Sequence, residues 1–428
     1  MFRKFSNYIL VITLMSIATI SYGQATKSPF SRLGIGDIVE PNLVNNQGMG
    51  GVGISNGNIW HLNYKNPALL PRNTLTVFSA GYIGGYQTLR DSVKTESNGG
   101  GNLNYLILAF PVMPGKWTTS VGILPYSVID FVQTSREPVS GSPSDTTLIT
   151  EEGSGGLNKF FWSNGYTLNK NFSIGLEASY IFGSATAEFS NTILTSENSF
   201  NYSPTVSTEI NVNDFLFKAG VAFRKDSIMN SATRIQAGIT YDFATDLSAK
   251  RTQTYERRLL GQPTSRDTLS FEEPGFYRLP SALGIGLSFT QEFKWTVGMD
   301  LKLQNWSEFL DYNGSNQNFK NTFSIGVGGE FTPDASSVDS YLERITYRFG
   351  VNYTTLPYVP RLASGEQVKD FGINFGWTLP VGRFSSIDMA FKVGQRGDVQ
   401  NNYIKENYYK IYIGFTFNDQ WFIKRKYD

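Results

Sequence analysis

The feature that most narrows the fold is an alternation with no fault in it. From Phe293 to Gln304, Phe293, Trp295, Val297, Met299, Leu301 and Leu303 alternate with Lys294, Thr296, Gly298, Asp300, Lys302 and Gln304. A period of two puts the apolar side chains on one face of a strand and the polar ones on the other. The same reading recurs along the chain. Ile235, Ala237, Ile239, Tyr241 and Phe243 alternate with Arg234, Gln236, Gly238, Thr240 and Asp242. Ile345, Tyr347, Phe349, Val351 and Tyr353 alternate with Arg344, Thr346, Arg348, Gly350 and Asn352, and Tyr409, Ile411, Ile413, Phe415 and Phe417 with Lys410, Tyr412, Gly414 and Thr416. Strands of a soluble sandwich usually hold about five or six residues. These run to ten or more, the length a tilted strand needs to cross a bilayer.

Composition agrees. Charged residues make up 17% of the 428, against roughly 25% in a soluble domain. Aromatics reach 14% and there are 42 glycines, the mix of a transmembrane β-barrel, whose apolar residues alternate instead of forming one long run. A net charge of +1 carries no excess that would point to nucleic acid. With no Cys and one His, disulfide scaffolds, zinc fingers, Cys nucleophiles and two-histidine sites are excluded. No metal or cofactor is expected.

The N-terminus reads as an export signal. Arg3 and Lys4 precede an apolar core from Ile9 to Ile20, and Ser21-Tyr22-Gly23 supplies small residues for cleavage near Gly23/Gln24. Residues 1–23 are therefore expected to be a signal peptide. No Cys follows that would mark a lipoprotein.

The alternating runs number about fourteen, near 74–87, 102–112, 116–133, 156–168, 172–189, 209–225, 231–245, 277–289, 293–308, 318–331, 342–355, 366–379, 384–394 and 405–418. An even count suits a single-chain outer-membrane barrel. Short connections such as Met113-Pro114-Gly115 and Asn169-Lys170-Asn171 alternate with long polar ones, Asp91 to Gly101, Ser135 to Ser154, Asn191 to Thr208 and Thr245 to Phe276, which are expected to be loops. Short turns face the periplasm in such barrels. The expected location is the outer membrane of a Gram-negative bacterium, with both termini periplasmic.

Residues 24–73 do not alternate. Gly34, Gly36, Gly48, Gly50, Gly51, Gly53 and Gly57 crowd this segment, yet Trp60, Leu62, Tyr64, Leu69 and Leu70 are too apolar for a disordered tail. A hatch, or plug, folded into the lumen is expected here, ahead of a barrel spanning 74–428. Gly48-x-Gly50-x-x-Gly53 spells a dinucleotide fingerprint but lacks the preceding strand and the acidic residue about 20 positions on. Close-packed hatch turns explain these glycines better. His61 has no serine elbow beside it, so no enzyme is expected. Charges on the polar faces, among them Glu177, Asp300, Lys302, Arg348, Asp388 and Lys392, read as lumen ion pairs.

Three stretches resemble the FadL-type long-chain fatty acid transporter family, with a Bacteroidetes-like start and end. Gln47-Gly48-Met49-Gly50-Gly51-Val52-Gly53, Asn66-Pro67-Ala68-Leu69 and Leu75 to Gly81 are similar to that family's hatch and first strand. Leu279-Pro280, Trp295 to Leu303 and Trp306-Ser307-Glu308-Phe309 resemble a second stretch, and Arg348 to Tyr353 with Leu356-Pro357 and the last strands a third. Ser28 to Gly34 and Trp421 to Asp428 depart from the transporter motifs and look like outer-membrane proteins of the Bacteroidetes. The resemblance implies an all-β barrel of about fourteen strands. It also implies a hatch motif at Asn66, Pro67 and Ala68, and uptake of hydrophobic molecules through a lateral wall opening.

Proline physics points to where such an opening would lie. Pro125 falls in the middle of the expected strand 116–133, lacks an N–H, and is confined in sheets to edges and bulges. It marks either a kinked wall or a bulge near one rim. Beside it, Phe78, Tyr82, Leu106, Leu108, Phe110, Leu124 and Tyr126 are expected to face the lumen as an apolar ligand lining, opposite lipid-facing Trp117, Val121 and Ile123. Two functional readings follow. One is a transporter of fatty-acid-like hydrophobic ligands, in contact with outer-membrane lipid. The other is a non-transporting FadL-like barrel that partners other outer-membrane proteins, for example as a type IX secretion system subunit.

Overall fold

A computed structural model describes residues 26–40, 42–139, 142–194, 202–228, 232–359, 366–381, 385–402 and 404–419. The expected signal peptide and the terminal Trp421 to Asp428 lie outside the described residues. No helix among them is long and apolar enough to cross a membrane; the crossing is made by strands.

The strands are β1 (Asp37–Ile38), β2 (Thr76–Arg90), β3 (Thr95–Met113), β4 (Trp117–Val139), β5 (Ser142–Thr167), β6 (Phe172–Leu194), β7 (Tyr202–Asp226), β8 (Thr233–Asp242), β9 (Thr245–Leu259), β10 (Gln262–Leu279), β11 (Ala282–Gln291), β12 (Trp295–Gln304), β13 (Thr322–Phe331), β14 (Thr346–Thr355), β15 (Lys369–Val381), β16 (Ser385–Asp398) and β17 (Ile404–Asp419). β2 to β8 and β11 to β17 pair antiparallel in sequence, and β8 pairs with β11. β17 returns to β2 over the register Lys405↔Arg90 to Asp419↔Thr76, which closes a wall of fourteen strands with no free edge at the join.

The alternation sorts the faces as the bilayer requires. Val297 is 52% exposed and Ile411 50%, both on the outside, whereas Asp300, Arg348, Glu177 and Asp388 are buried inward. Lys302 is half-buried and Lys294 sits at the rim in the turn before β12. Arg344 is a correction. It belongs to a four-residue helix, Tyr341–Arg344, ahead of β14, and its guanidinium lies 5.1 Å from the Tyr341 ring centre instead of in the wall.

The expected long loops are also corrected. Asp91 to Gly101, Ser135 to Ser154 and Thr245 to Phe276 are mostly strand, because β3, β4, β5, β9 and β10 continue past the bilayer as hairpins. β9 and β10 extend β8 and β11 upward, and β9 pairs with the upper part of β7 from Tyr202↔Leu259 to Val212↔Ala249. Many of their inward-facing residues are polar, as Thr254 and Glu256 of β9 are beside buried Leu247 and Ala249, so no sustained period of two in polarity appears. Of Asn191 to Thr208, β6 takes the part up to Leu194 and β7 the part from Tyr202, the rest lying outside the described residues.

The chain before β2 fills the lumen. Two 3-10 helices, Pro29–Arg32 and Pro67–Arg72, the two-residue β1 and a one-turn helix, Val44–Gly48, are its regular parts among the described residues. Lumen-facing glycines receive it: a β-carbon at Gly175 would overlap Pro67, one at Gly238 the Ile54 carbonyl, and one at Gly328 or Gly350 the Met49 backbone. Leu43, Val44, Leu62, Tyr64 and Leu70 pack against Val77, Tyr105, Ile107, Leu124 and Phe161 of the wall. A second apolar cluster closes the mouth on the side of the long hairpins, where Phe30 and Ile35 meet Trp306, Phe309 and Phe319 of the β12–β13 connection and Tyr358.

Candidate functional site: a seam in the wall above a charged chamber

The β3–β4 ladder starts at Met113↔Trp117 and stops at Leu106↔Ile123. Beyond that rung β3 pairs only with β2, and β4 pairs with β5 and the two residues of β1. Pro125 stands two residues past the last rung, and a register shift lies between Pro125 and Ser127 on the β5 side. A proline here has no N–H to offer, and the bulge turns the strand. The result is a seam, open between the upper parts of β3 and β4.

Unpaired backbone at such a place would cost several kcal/mol per group in hydrocarbon, and the N-terminal segment covers both edges, bonding backbone groups on β4 and mainly side-chain amides on β3. On the β4 edge, β1 pairs Asp37↔Val128 and Ile38↔Ser127. The Val39 N–H donates to the Tyr126 carbonyl at 3.0 Å and the Ser28 N–H to that of Asp130 at 2.8 Å. On the β3 edge, asparagines take the place of a strand. Asn102 Oδ1 accepts from the Leu103 N–H at 2.8 Å, and Asn104 Nδ2 donates to the Asn42 carbonyl at 3.2 Å. Asn98 holds the Lys27 backbone in both directions at 3.0 Å. The seam is thus a stable element and not a frayed one.

Behind it lies a chamber of about 250 Å³ that touches Gly100 to Asn104 of β3, Pro125 and Val128 of β4, and the hatch from Asp37 to Asn42 among the described residues. Its far wall is charged. Arg396 bridges Asp37 at 2.6 Å and Asp370 at 3.1 Å, Tyr408 Oη donates to Asp370 at 2.6 Å, and Ser28 Oγ donates to Glu406 at 2.8 Å. Lys302, Lys392 and Lys410 line the same space. Burial alone would raise the Glu40 carboxyl, but Lys65, Lys302 and Lys392 outweigh it and hold Glu40 below the ordinary carboxylate range.

Below the chamber the hatch is bound by buried polar groups. Asp300 accepts from the Gly53 and Ile54 N–H groups at 2.7 and 2.8 Å. Gln47 Nε2 donates to Asn374 at 2.7 Å, and Asn374 to Asn352 at 2.9 Å. Glu177 is held by Lys159 at 2.7 Å and by Ser163 at 2.8 Å. Asn66 joins hatch to wall. Its Oδ1 caps the Ala68 N–H at 3.0 Å, while Nδ2 donates to the Ile54 carbonyl at 2.9 Å and the Val221 carbonyl at 3.1 Å. His61 Nε2 lies 3.2 Å from Asp388, beside a second cavity of about 330 Å³ at the end of the short turns. Gly50 and Gly51 adopt φ of +69° and +86° where the Val44–Gly48 helix ends, which is a packing turn.

The expected apolar lining is corrected by the register. Leu106↔Ile123, Leu108↔Val121 and Phe78↔Leu108 are direct partners. Partners across an antiparallel ladder share a face, so these residues lie on the lipid side with Val121 and Ile123. Tyr82 and Leu106 are exposed there and Phe110 half-exposed. Only Leu124 and Tyr126 of the seven point inward, Leu124 into the hatch packing and Tyr126 against the mouth cluster. The sequence reading placed Lys302 and Lys392 on polar faces, but nothing in the chain showed that they share one chamber with Lys410.

The fold is a closed fourteen-strand antiparallel β-barrel with its N-terminal segment inside the lumen. Among solved structures, the chain is similar to the Pseudomonas putida toluene transporter TodX, at 14% identity and a TM-score of 0.56 over 90% of this chain and 99% of that one. It is similar to the CymD monoaromatic hydrocarbon channel at 15% identity and 0.55, over 88% and 97%. A Pseudomonas aeruginosa FadL homologue matches at 13% and 0.55, over 90% and 99%. No curated protein matches in sequence. The family model described as BamG matches residues 1–428, and the chain belongs to that family.

Proposed function

We propose that the protein passes hydrophobic small molecules, fatty-acid-like ones included, from outside into the outer membrane. The hatch gates the lumen and the β3–β4 seam is the lateral exit. β2 begins and β17 ends at the rim of short turns, the periplasmic rim in this reading, whereas the first described residues, Thr26 to Phe30, sit toward the opposite mouth, where Asn98 holds Lys27, and so depart from the expected periplasmic position. The observation that carries the reading is the seam itself, a gap between two strands whose edges are capped without being joined and which opens onto a lumen chamber. Its outer flank is apolar, with Leu103 and Leu106 exposed.

The test closes the seam. Pro125→Val combined with Gly99→Val, Gly100→Thr and Gly101→Val supplies an N–H and β-forming side chains along both edges. Uptake of radiolabelled oleate and toluene by cells producing this variant is expected to fall at least tenfold, with unchanged heat-modifiable gel mobility. Unchanged uptake in a folded variant overturns the lateral route.

One observation favours a second reading, a barrel that partners other outer-membrane proteins. On the β9–β10 hairpin, above the bilayer, Leu260, Leu269 and Phe271 are strongly exposed, and apolar side chains grouped in water mark contact surfaces. Photo-crosslinkers at Leu269 and Phe271 in whole cells separate the two readings. A discrete protein adduct supports the partner role, and lipid or no adduct removes it.

A further inference from the structure

Lys392 on β16 and Lys410 on β17 are direct partners in their ladder. Like charges placed so are destabilising unless something negative lies between or beside them. Both ammonium groups lie over the ring of one buried tyrosine, Tyr408, at 5.4 and 5.0 Å from its centre. The other cross-strand neighbour of Lys410 is Gly85, which has no side chain to fill the space. Lys302 faces the same chamber from β12. The nearby acids are largely engaged: Asp37 and Asp370 by Arg396, and Glu406 by Ser28. Glu40 keeps one hydrogen bond, from Ser324 Oγ at 3.3 Å.

We propose that this chamber binds the phosphate-bearing, zwitterionic head of a membrane phospholipid, admitted through the β3–β4 seam while its acyl chains stay in the bilayer. Lys392, Lys410 and Lys302 take the phosphate, and Glu40 takes the ammonium. The inner lining carries charges of both signs, which suits a dipolar head. The seam's outer flank is apolar at Leu103 and Leu106, which suits the chains. A molecule that satisfies both surfaces has its charge at one end and its grease at the other. The inference rests on the seam opening to the bilayer, as in the lateral route above, and not on transport.

The full chain is placed in phosphatidylcholine nanodiscs containing a tritiated phosphatidylethanolamine with a photoactivatable group near the head. Labelling of peptides from β3, β4 and the hatch is expected. It should fall at least tenfold in Lys392→Gln/Lys410→Gln, and return in Lys392→Arg/Lys410→Arg. Heat-modifiable mobility confirms that each variant is folded. Excess unlabelled phosphatidylethanolamine should compete and oleate should not. Labelling that ignores the lysine changes overturns the site. Competition by oleate alone assigns the lysines to a free carboxylate and overturns the phospholipid. Toluene uptake distinguishes this inference from the transport reading. Seam closure should abolish both uptake and labelling. Labelling that persists in a protein without uptake leaves this inference standing and removes transport.

Discussion

Asn66→Ala should release the hatch without unfolding the barrel. The side chain is fully buried and its amide makes three hydrogen bonds, one to the Ala68 N–H and two to the Ile54 and Val221 carbonyls. Alanine leaves those three groups without their partner in a lumen packed by Pro67 and by Gly220 and Gly238. Each orphaned group costs about 1–3 kcal/mol. Water will reach some of them, so a total of about 3–6 kcal/mol is expected, part of it the lost cap of the Pro67–Arg72 helix. The wall loses no ladder hydrogen bond, so the cost falls on the hatch alone. At 1.4 kcal/mol per factor of ten, exchange of the amides between Ile54 and Asn73 should rise on the order of 100-fold or more. Hydrogen exchange read by mass spectrometry in detergent micelles measures it, with amides of β12 and β13 as internal reference. Asn66→Asp is the sharper comparison. It keeps the acceptor for Ala68 but faces two carbonyls with an acceptor where a donor stood, so it should loosen the hatch more than alanine does. Exchange within a few-fold of wild type in Asn66→Ala, or a milder effect of aspartate than of alanine, would refute the claim that these bonds hold the plug.

Three further outcomes follow from the same structure. Gly238→Val should displace the hatch around Ile54, seen as new protease cleavage between Gly53 and Asn66 while the barrel keeps its heat-modifiable mobility. Met299→Lys, on the lipid face in the middle of β12, should lower stability by about 2–4 kcal/mol in urea unfolding from bilayers, whereas Lys302→Met on the lumen face should cost far less. Outside the bilayer, hydrogen bonds from Arg258 at 2.8 and 2.9 Å hold the Glu188 carboxyl below its ordinary range. A lowered pKa means the stabilisation is complete above the unfolded value of about 4.3 and is lost as pH falls through the folded one. Proteolytic nicking of the β6–β7–β9 extensions should therefore increase only in acid, and Glu188→Gln should remove that pH dependence.

The sequence by itself determined the barrel, because lipid and lumen impose opposite demands on alternate residues. Phe293 to Gln304 could satisfy both only as a membrane-crossing strand, and the fourteen such runs are the fourteen strands of the closed wall. It also showed that the segment before β2 was neither strand nor tail. The upper hairpins were invisible because Ser142 to Ser154 and Thr245 to Phe276 carry mostly polar residues at successive positions, with no sustained alternation of polarity to reveal a strand. Only the tertiary structure decided the lining of the lumen. Which face Leu106 and Leu108 take depends on their register against β4 and on the shifts at Gly81/Tyr82 and Pro111/Met113, and a slip of one residue turns a whole strand inside out. Likewise Lys302, Lys392 and Lys410 are separate polar positions in the chain. They became one chamber only when the wall closed from β17 onto β2, behind the break in the β3–β4 ladder near Pro125.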